Sequence, residues 1–135
     1  MSPADDIKAM ILADSSLDLA FASSLFVNKE PAKPDNTVTI FDTPGFPPYM
    51  GFTDVGYEYP SIQIRVRNRS QEDGWNLINE IYLLLHGRAH ETWNNAIYES
   101  IRATGSIALL DWDDNGRVRF IINFNIQRKQ VAGES

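Results

Sequence analysis

The sequence predicts an α+β fold, a single domain over residues 1–135. Its expected form is one mainly antiparallel sheet of four to five strands, with two or more helices packed on one face. Three observations lead there. Periodic segments follow in the order helix, strands, helix, strands, as in folds that segregate helices to one side of a sheet. The connections are too short for repeated helical crossovers, which disfavours a parallel sheet. Two stretches, Ile62–Arg67 and Arg117–Gln127, alternate apolar and polar residues, so one sheet face is core and the other is polar.

Pro3 suits a first helical turn, and Ile7, Met10 and Ile11 follow at helical spacing, which predicts a helix over about residues 3–13. A short apolar piece, Ser24 to Asn28, leads into KEPAKPDN, whose prolines and Asp35-Asn36 mark a loop inside the domain. TVTIFDT, Thr37 to Thr43, is β-branched and alternating and reads as a strand. The stretch from Pro44 to Pro60 holds four prolines and three glycines and is expected to be a long irregular loop. Its aromatics, Phe46, Tyr49, Phe52, Tyr57 and Tyr59, set it apart from a solvated linker.

In the next strand Ile62, Ile64 and Val66 face the core, with Gln63, Arg65 and Arg67 opposite. Ser70 as N-cap, with Glu72 and Asp73 in the first turn, starts a second helix that Gly87 stops. Trp75, Ile78, Tyr82 and Leu85, widened by Leu77, Ile81 and Leu84, predict that it is the most buried element. Tyr98–Trp112 and Arg117–Lys129 read as strands joined by DDNG, whose Asn115-Gly116 signals a type I′ turn. Val118, Phe120, Ile122, Phe124 and Ile126 share the core face of the last strand. The final few residues are expected to be disordered.

A chain of 135 residues is long enough to bury a core without staples. It has no cysteine, which removes disulfides, thiolate nucleophiles and sulfur-ligated zinc and fits synthesis in a reducing cytoplasm. No apolar run approaches the ~18 residues that span a bilayer, and the start is acidic, so neither a membrane nor a secretory signal is expected. The net charge of −6 disfavours a free nucleic-acid-binding module unless the cations gather on one face.

Asp111, Asp113, Asn115 and Gly116 match the first positions of a calcium loop, but position 12 is Ile122 and strands flank it, so the stretch is a hairpin turn. His86 and His90 are four apart with Gly87 between them, and no third zinc ligand stands at suitable spacing. No activated nucleophile or phosphate-cradling glycine motif is present. No enzyme activity, metal or cofactor is therefore expected.

What stands out is basic. If the two alternating strands share a sheet, their polar faces gather Arg65, Arg67, Arg117 and Arg119 with Asn123, Asn125 and Gln127. Four like charges need carboxylates from elsewhere in the chain, a neighbouring subunit or phosphates; an ordinary solvated face is the plainer alternative.

From residue 25 to 129 the chain resembles the small tail terminator proteins of long-tailed bacteriophages, often called minor capsid proteins. The resemblance runs through LFVNKEPAKPDNTVTIFDTPGFPP, YPSIQIRVRNRS, the helix ending LLLHG, and DDNGRVRFIINFNIQRK with its Asn123-Phe124 pair. It implies a structural virion protein at the head–tail junction, a ring, usually a hexamer, that caps the tail tube, stops its polymerisation and offers a docking surface to the head. The implied partners are further copies of the chain, the tail tube protein and the head–tail connector protein, with DNA passing through the channel. A head-side neck or connector protein is the alternative. The family has no catalytic residues to carry over. Arg65, Arg67, Arg117 and Arg119, with Phe46, Tyr49, Phe52 and Tyr57 of the long loop, are the expected subunit or tube contacts.

Overall fold

The computed structural model describes residues 2–46 and 56–130. Along the chain come α1 (Pro3–Leu12), a one-turn 3-10 helix (Ser15–Leu17), β1 (Leu25–Val27), β2 (Thr37–Phe46) and β3 (Tyr57–Asn68). Then follow α2 (Gln71–Leu85), β4 (Glu91–Trp93), β5 (Ala96–Ala103), β6 (Ala108–Trp112) and β7 (Val118–Gln130). Both helices start as their caps dictate. Ser2 Oγ accepts the Asp5 amide at 3.3 Å while the Asp5 carboxylate accepts the Ser2 amide at 3.2 Å, and Ser70 Oγ accepts the Asp73 amide at 3.2 Å.

The strands form one sheet in the order β1-β2-β3-β7-β5-β4, with β6 also on β7. This overturns the expected sheet of four to five mainly antiparallel strands: there are seven, and the sheet is mixed, because β1 runs parallel to β2. Two of the added strands, β1 and β4, are only three residues long, too short to show periodicity. A third arises from a split. Tyr98–Trp112 is not one strand: four residues, Thr104–Ile107, span an interval that β7 covers with Ile122 and Asn123, so the chain bows away and returns as β6.

β7 is the spine. One edge pairs with β3 from Val118 to Lys129, and the other is shared, β5 taking Phe124–Gln130 and β6 taking Val118–Ile121. Its alternation puts Val118, Phe120, Ile122, Phe124 and Ile126 in the core with Ile62, Ile64, Val66, Val38 and Ile40. Ala4, Ile7, Met10 and Ile11 of α1 and Ile78, Ile81 and Leu85 of α2 bury against the same core. α2 is not the most buried element. It lies across the outside of the sheet, so only that stripe and Gly74 are buried, while Trp75 and Leu83 are exposed.

The Pro44–Pro60 stretch is also more regular than its composition suggests. β2 continues through Gly45 to Phe46 and β3 begins at Tyr57, with Phe46 and Tyr59 in register. Pro60 falls where the ladders on both sides skip, so it removes no required amide bond. A Cβ on Gly45 would stand 2.1 Å from the Tyr59 carbonyl oxygen, so the hairpin needs glycine there. Residues 47–55 and the final residues 131–135 lie outside the described residues.

The turns exchange roles. Asn94 and Asn95, with φ of 50° and 65°, link Trp93 to its partner Ala96 as a two-residue type I′ turn. In DDNG only Gly116 is left-handed, at φ 76°. The type I′ expectation fails there because Asp113 Oδ1 accepts the Asn115 and Arg117 amides at 3.0 and 2.9 Å and fixes a different turn.

Candidate assembly surfaces

The parallel pairing of β1 and β2 sets the chemistry of the polar face. Parallel neighbours need a crossover, usually a helix. Here residues 28–36 serve, and they cross the sheet on the side away from the helices. Each of their bends exposes carbonyls and carboxylates to the arginines beneath.

Arg67 is 3% exposed and donates from Nε to the Asp35 carbonyl at 3.1 Å and from Nη2 to the Pro34 carbonyl at 2.7 Å. Its third nitrogen lies 3.5 Å from Glu30. Arg117, also buried, donates to the Ala32 carbonyl and to Asp113, both at 2.7 Å, and reaches Asp35 at 3.3 Å. Arg119 grips Asp111 through two nitrogens and Glu30 at 3.0 Å. Register places this row side by side, Thr37 opposite Arg67 and Arg67 opposite Arg119.

The electrostatics follow from that packing. Burial, and next the nearby Arg117 charge, pull the Arg67 pKa below the ordinary guanidinium value. The hydrogen bond that Arg119 donates to Asp111 pushes the Arg119 pKa up, and the same bond holds Asp111 below the usual carboxylate value. Asp35 is lowered chiefly by its bond from Arg69, 2.6 Å away. Asp113 resists the opposing effect of desolvation through its bonds from Arg117 and is lowered too. Four carboxylates thus meet the basic row, and no concentrated positive field is left there for a phosphate backbone.

Arg65 differs. It lies over the Phe41 ring at 4.8 Å and donates to Gln63 at 3.1 Å, but its buried Nε has no protein partner. Gln63 continues to Asn123 at 3.1 Å, and Ser61 to Asn125 at 2.6 Å, a polar ladder along the middle of the sheet.

The residues from 9 to 130 match the family model of the bacteriophage tail terminator protein. The chain belongs to that family. It is a structural protein of the virion tail. A search of curated proteins gave no significant match. Among solved structures, a chain from the virion of a native gene transfer agent particle superposes with a TM-score of 0.67 over 95% of each chain at 9% identity, a likeness of fold.

For a tail protein, the expected contact residues divide into groups. Arg67, Arg117 and Arg119 are taken up inside the chain, and Arg65 is half-buried beside them. Tyr57 stands at the start of β3, with the Lys129 ammonium 5.3 Å over its ring. Phe46 ends β2. Tyr49 and Phe52 lie outside the described residues. The histidines do not share a helix face: His86 accepts the Ala103 amide and stacks on Tyr82, while His90, beyond the helix, lies 3.1 Å from Glu99. Asp111 and Asp113, the would-be calcium ligands, serve Arg119 and Arg117.

The sequence reading missed a second buried ionic cluster. Asp6 of α1, 1% exposed, accepts from the Tyr98 hydroxyl, from Asn94 at 2.6 Å and from Arg128 at 3.4 Å. Arg128 also donates to Glu58 at 2.8 Å. Burial and the Asp6 bond push the Tyr98 pKa well up, so the phenol stays protonated. Strands β3, β5 and β7 are tied to α1 by this cluster. Asp6 sits within the buried stripe of α1, between Ala4 and Ile7, and a carboxylate among those positions is the signal that pointed to it.

Proposed function

We propose that the chain is a tail terminator that forms a ring, a hexamer in the usual family arrangement, on the last ring of the tail tube. There it stops tube polymerisation and presents the surface to which the head docks, with DNA passing through its channel. The tail tube protein and the head–tail connector protein are its partners beside further copies of itself. The family match over residues 9–130 carries this reading. The fold supports it, because a one-layer sheet with both helices on one side leaves the part of its second face not crossed by residues 28–36, and the outer edge of β6, for neighbours.

In this ring the aromatic stretch between β2 and β3, with Phe46, Tyr49, Phe52 and Tyr57, makes the contact to a neighbouring subunit or the tube. Arg65, half-buried on the polar face of β3, is a further contact. Arg67, Arg117 and Arg119 act through the 28–36 connection that they hold rigid. Tail tube subunits polymerised with and without the protein test the reading. Tubes should stop at shorter, uniform lengths with the protein at their tips in electron micrographs; unchanged lengths and bare tips would refute it.

A further inference from the structure

Two parts of the sheet are left uncovered among the described residues. One is the outer edge of β6, where Leu109, Leu110 and Trp112 are 54%, 40% and 50% exposed. The other is the half of the polar face beyond residues 28–36, where the ladder of Gln63, Asn123 and Asn125 runs among Arg65, Arg102 and Lys129. Register sets all of them on one side. Gln63 is opposite Asn123 and Arg102 opposite Asn125, Arg65 is one alternation above Gln63, and Lys129 follows Asn125 at even spacing along β7. Arg102 and Asn125 are exposed and the others half-buried.

That half-face is basic. Arg65 rests on the Phe41 ring and Lys129 on the Tyr57 ring, and among the described residues neither they nor Arg102 meets a carboxylate. The acids of the surrounding strands are engaged elsewhere, Asp42 with Asn28 and the Ala4 amide, Glu58 with Arg128 and Glu99 with His90. Across the sheet, the outer side of α2 is acidic. Glu72, Asp73 and Glu80 stand exposed there, with no ion-pair partner among the described residues, and the seven-residue spacing of Asp73 and Glu80 sets those two on one stripe. Glu80 also lines a groove of about 320 Å³ with Asp14 and with Leu83, which is 66% exposed.

We propose that in the ring the basic half-face of one subunit seats on the outer side of α2 of the next. Charge complementarity selects a second copy as the occupant. DNA is the other anion at hand, and spacing decides against it. From Ile121, level with Arg65, to Lys129 is eight residues of strand, roughly 27 Å. A duplex presents a negative charge about every 1.7 Å of its axis. Three cations over that length neutralise little of it but balance the three exposed acids of α2. The amide ladder both donates and accepts, which suits the exposed Asn76 beside those acids, whereas a phosphate backbone only accepts. Leu83 supplies an apolar contact among them. The two surfaces lie on opposite sides of one sheet, so the contact is head-to-tail, and repeats of it close a ring.

This deepens the ring reading above and rests on it, and the test separates the two. Arg102→Glu and Glu80→Lys change exposed side chains and should leave the fold intact by circular dichroism. Each variant alone should self-associate at least about tenfold more weakly than the native chain in sedimentation, because it sets like charges face to face. Mixed in equal amounts, the two should form rings again in electron micrographs, since each then offers the charge that the other lacks. Misfolded variants cannot give that recovery. Rings that form equally well from either variant alone would overturn the proposal and leave the ring intact. So would two folded variants whose defects mixing does not repair. A short DNA duplex bound by the native chain at low salt and released by Arg102→Glu would overturn it in favour of DNA. A native chain that stays monomeric on and off tubes would overturn both.

Discussion

The polar layer under residues 28–36 and the outer edge of β6 flank the same stretch of β7, yet one is closed by the chain itself and the other is left open. The contrast follows from what exposure costs each. A buried guanidinium without partners loses several kcal/mol of hydration, so Arg67 and Arg117 must be satisfied before any neighbour arrives. An apolar edge costs the isolated subunit little, and its penalty is unwanted association. Buried charge therefore marks what this chain solves internally, and the apolar edge marks what it leaves open.

The largest effect expected from breaking that contrast is at Arg67. Arg67→Ala should cost about 3–5 kcal/mol in urea unfolding, because it strands the carbonyls of Pro34 and Asp35 beneath the connection and leaves Glu30 with Arg119 alone of its two arginines. A loss below about 1 kcal/mol would mean that water replaces the guanidinium freely. Gly45→Ala should cost about 1–3 kcal/mol by forcing β2 from β3 where the Cβ meets the Tyr59 carbonyl. An unchanged midpoint would show that the hairpin end yields.

Acid should weaken the polar layer and leave the apolar edge untouched. Asp35, Asp111 and Asp113 titrate below their ordinary value of 3.8, so their stabilisation is fully present above that pH and is lost as pH falls through their lowered values. Thermal melts from pH 5 downward should show Tm falling below about pH 4, and less steeply in Asp111→Asn. The smallest effect belongs to the edge: Leu109→Thr should move stability by no more than about 0.5 kcal/mol, since its side chain is mostly in solvent. A larger loss would show that β6 packs within its own subunit.

Much of the fold was legible wherever a residue's local pattern equals its role. Pro3 in the first turn of α1, the cap at Ser70, the glycine stop at Gly87 and the alternation of β3 and β7 all act over a few residues and read directly. The strand count did not, because β1 and β4 depend on neighbours rather than on periodicity, and β5 parts from β6 only because β7 sets the spacing. The four arginines were legible as a group. Their partners were not, since Glu30 and Asp35 sit in a stretch whose composition says only loop.

By itself the sequence determined the core faces, the helix ends and the gathering of arginines on one strand face, and its ordered segments already resembled the tail terminators. Only the tertiary structure decided that the neutralising groups come from the chain's own crossover. Three-residue β1 lies parallel to β2, and that pairing sends residues 28–36 over the arginines. No local preference of those residues encodes the route; it follows from the sheet they join.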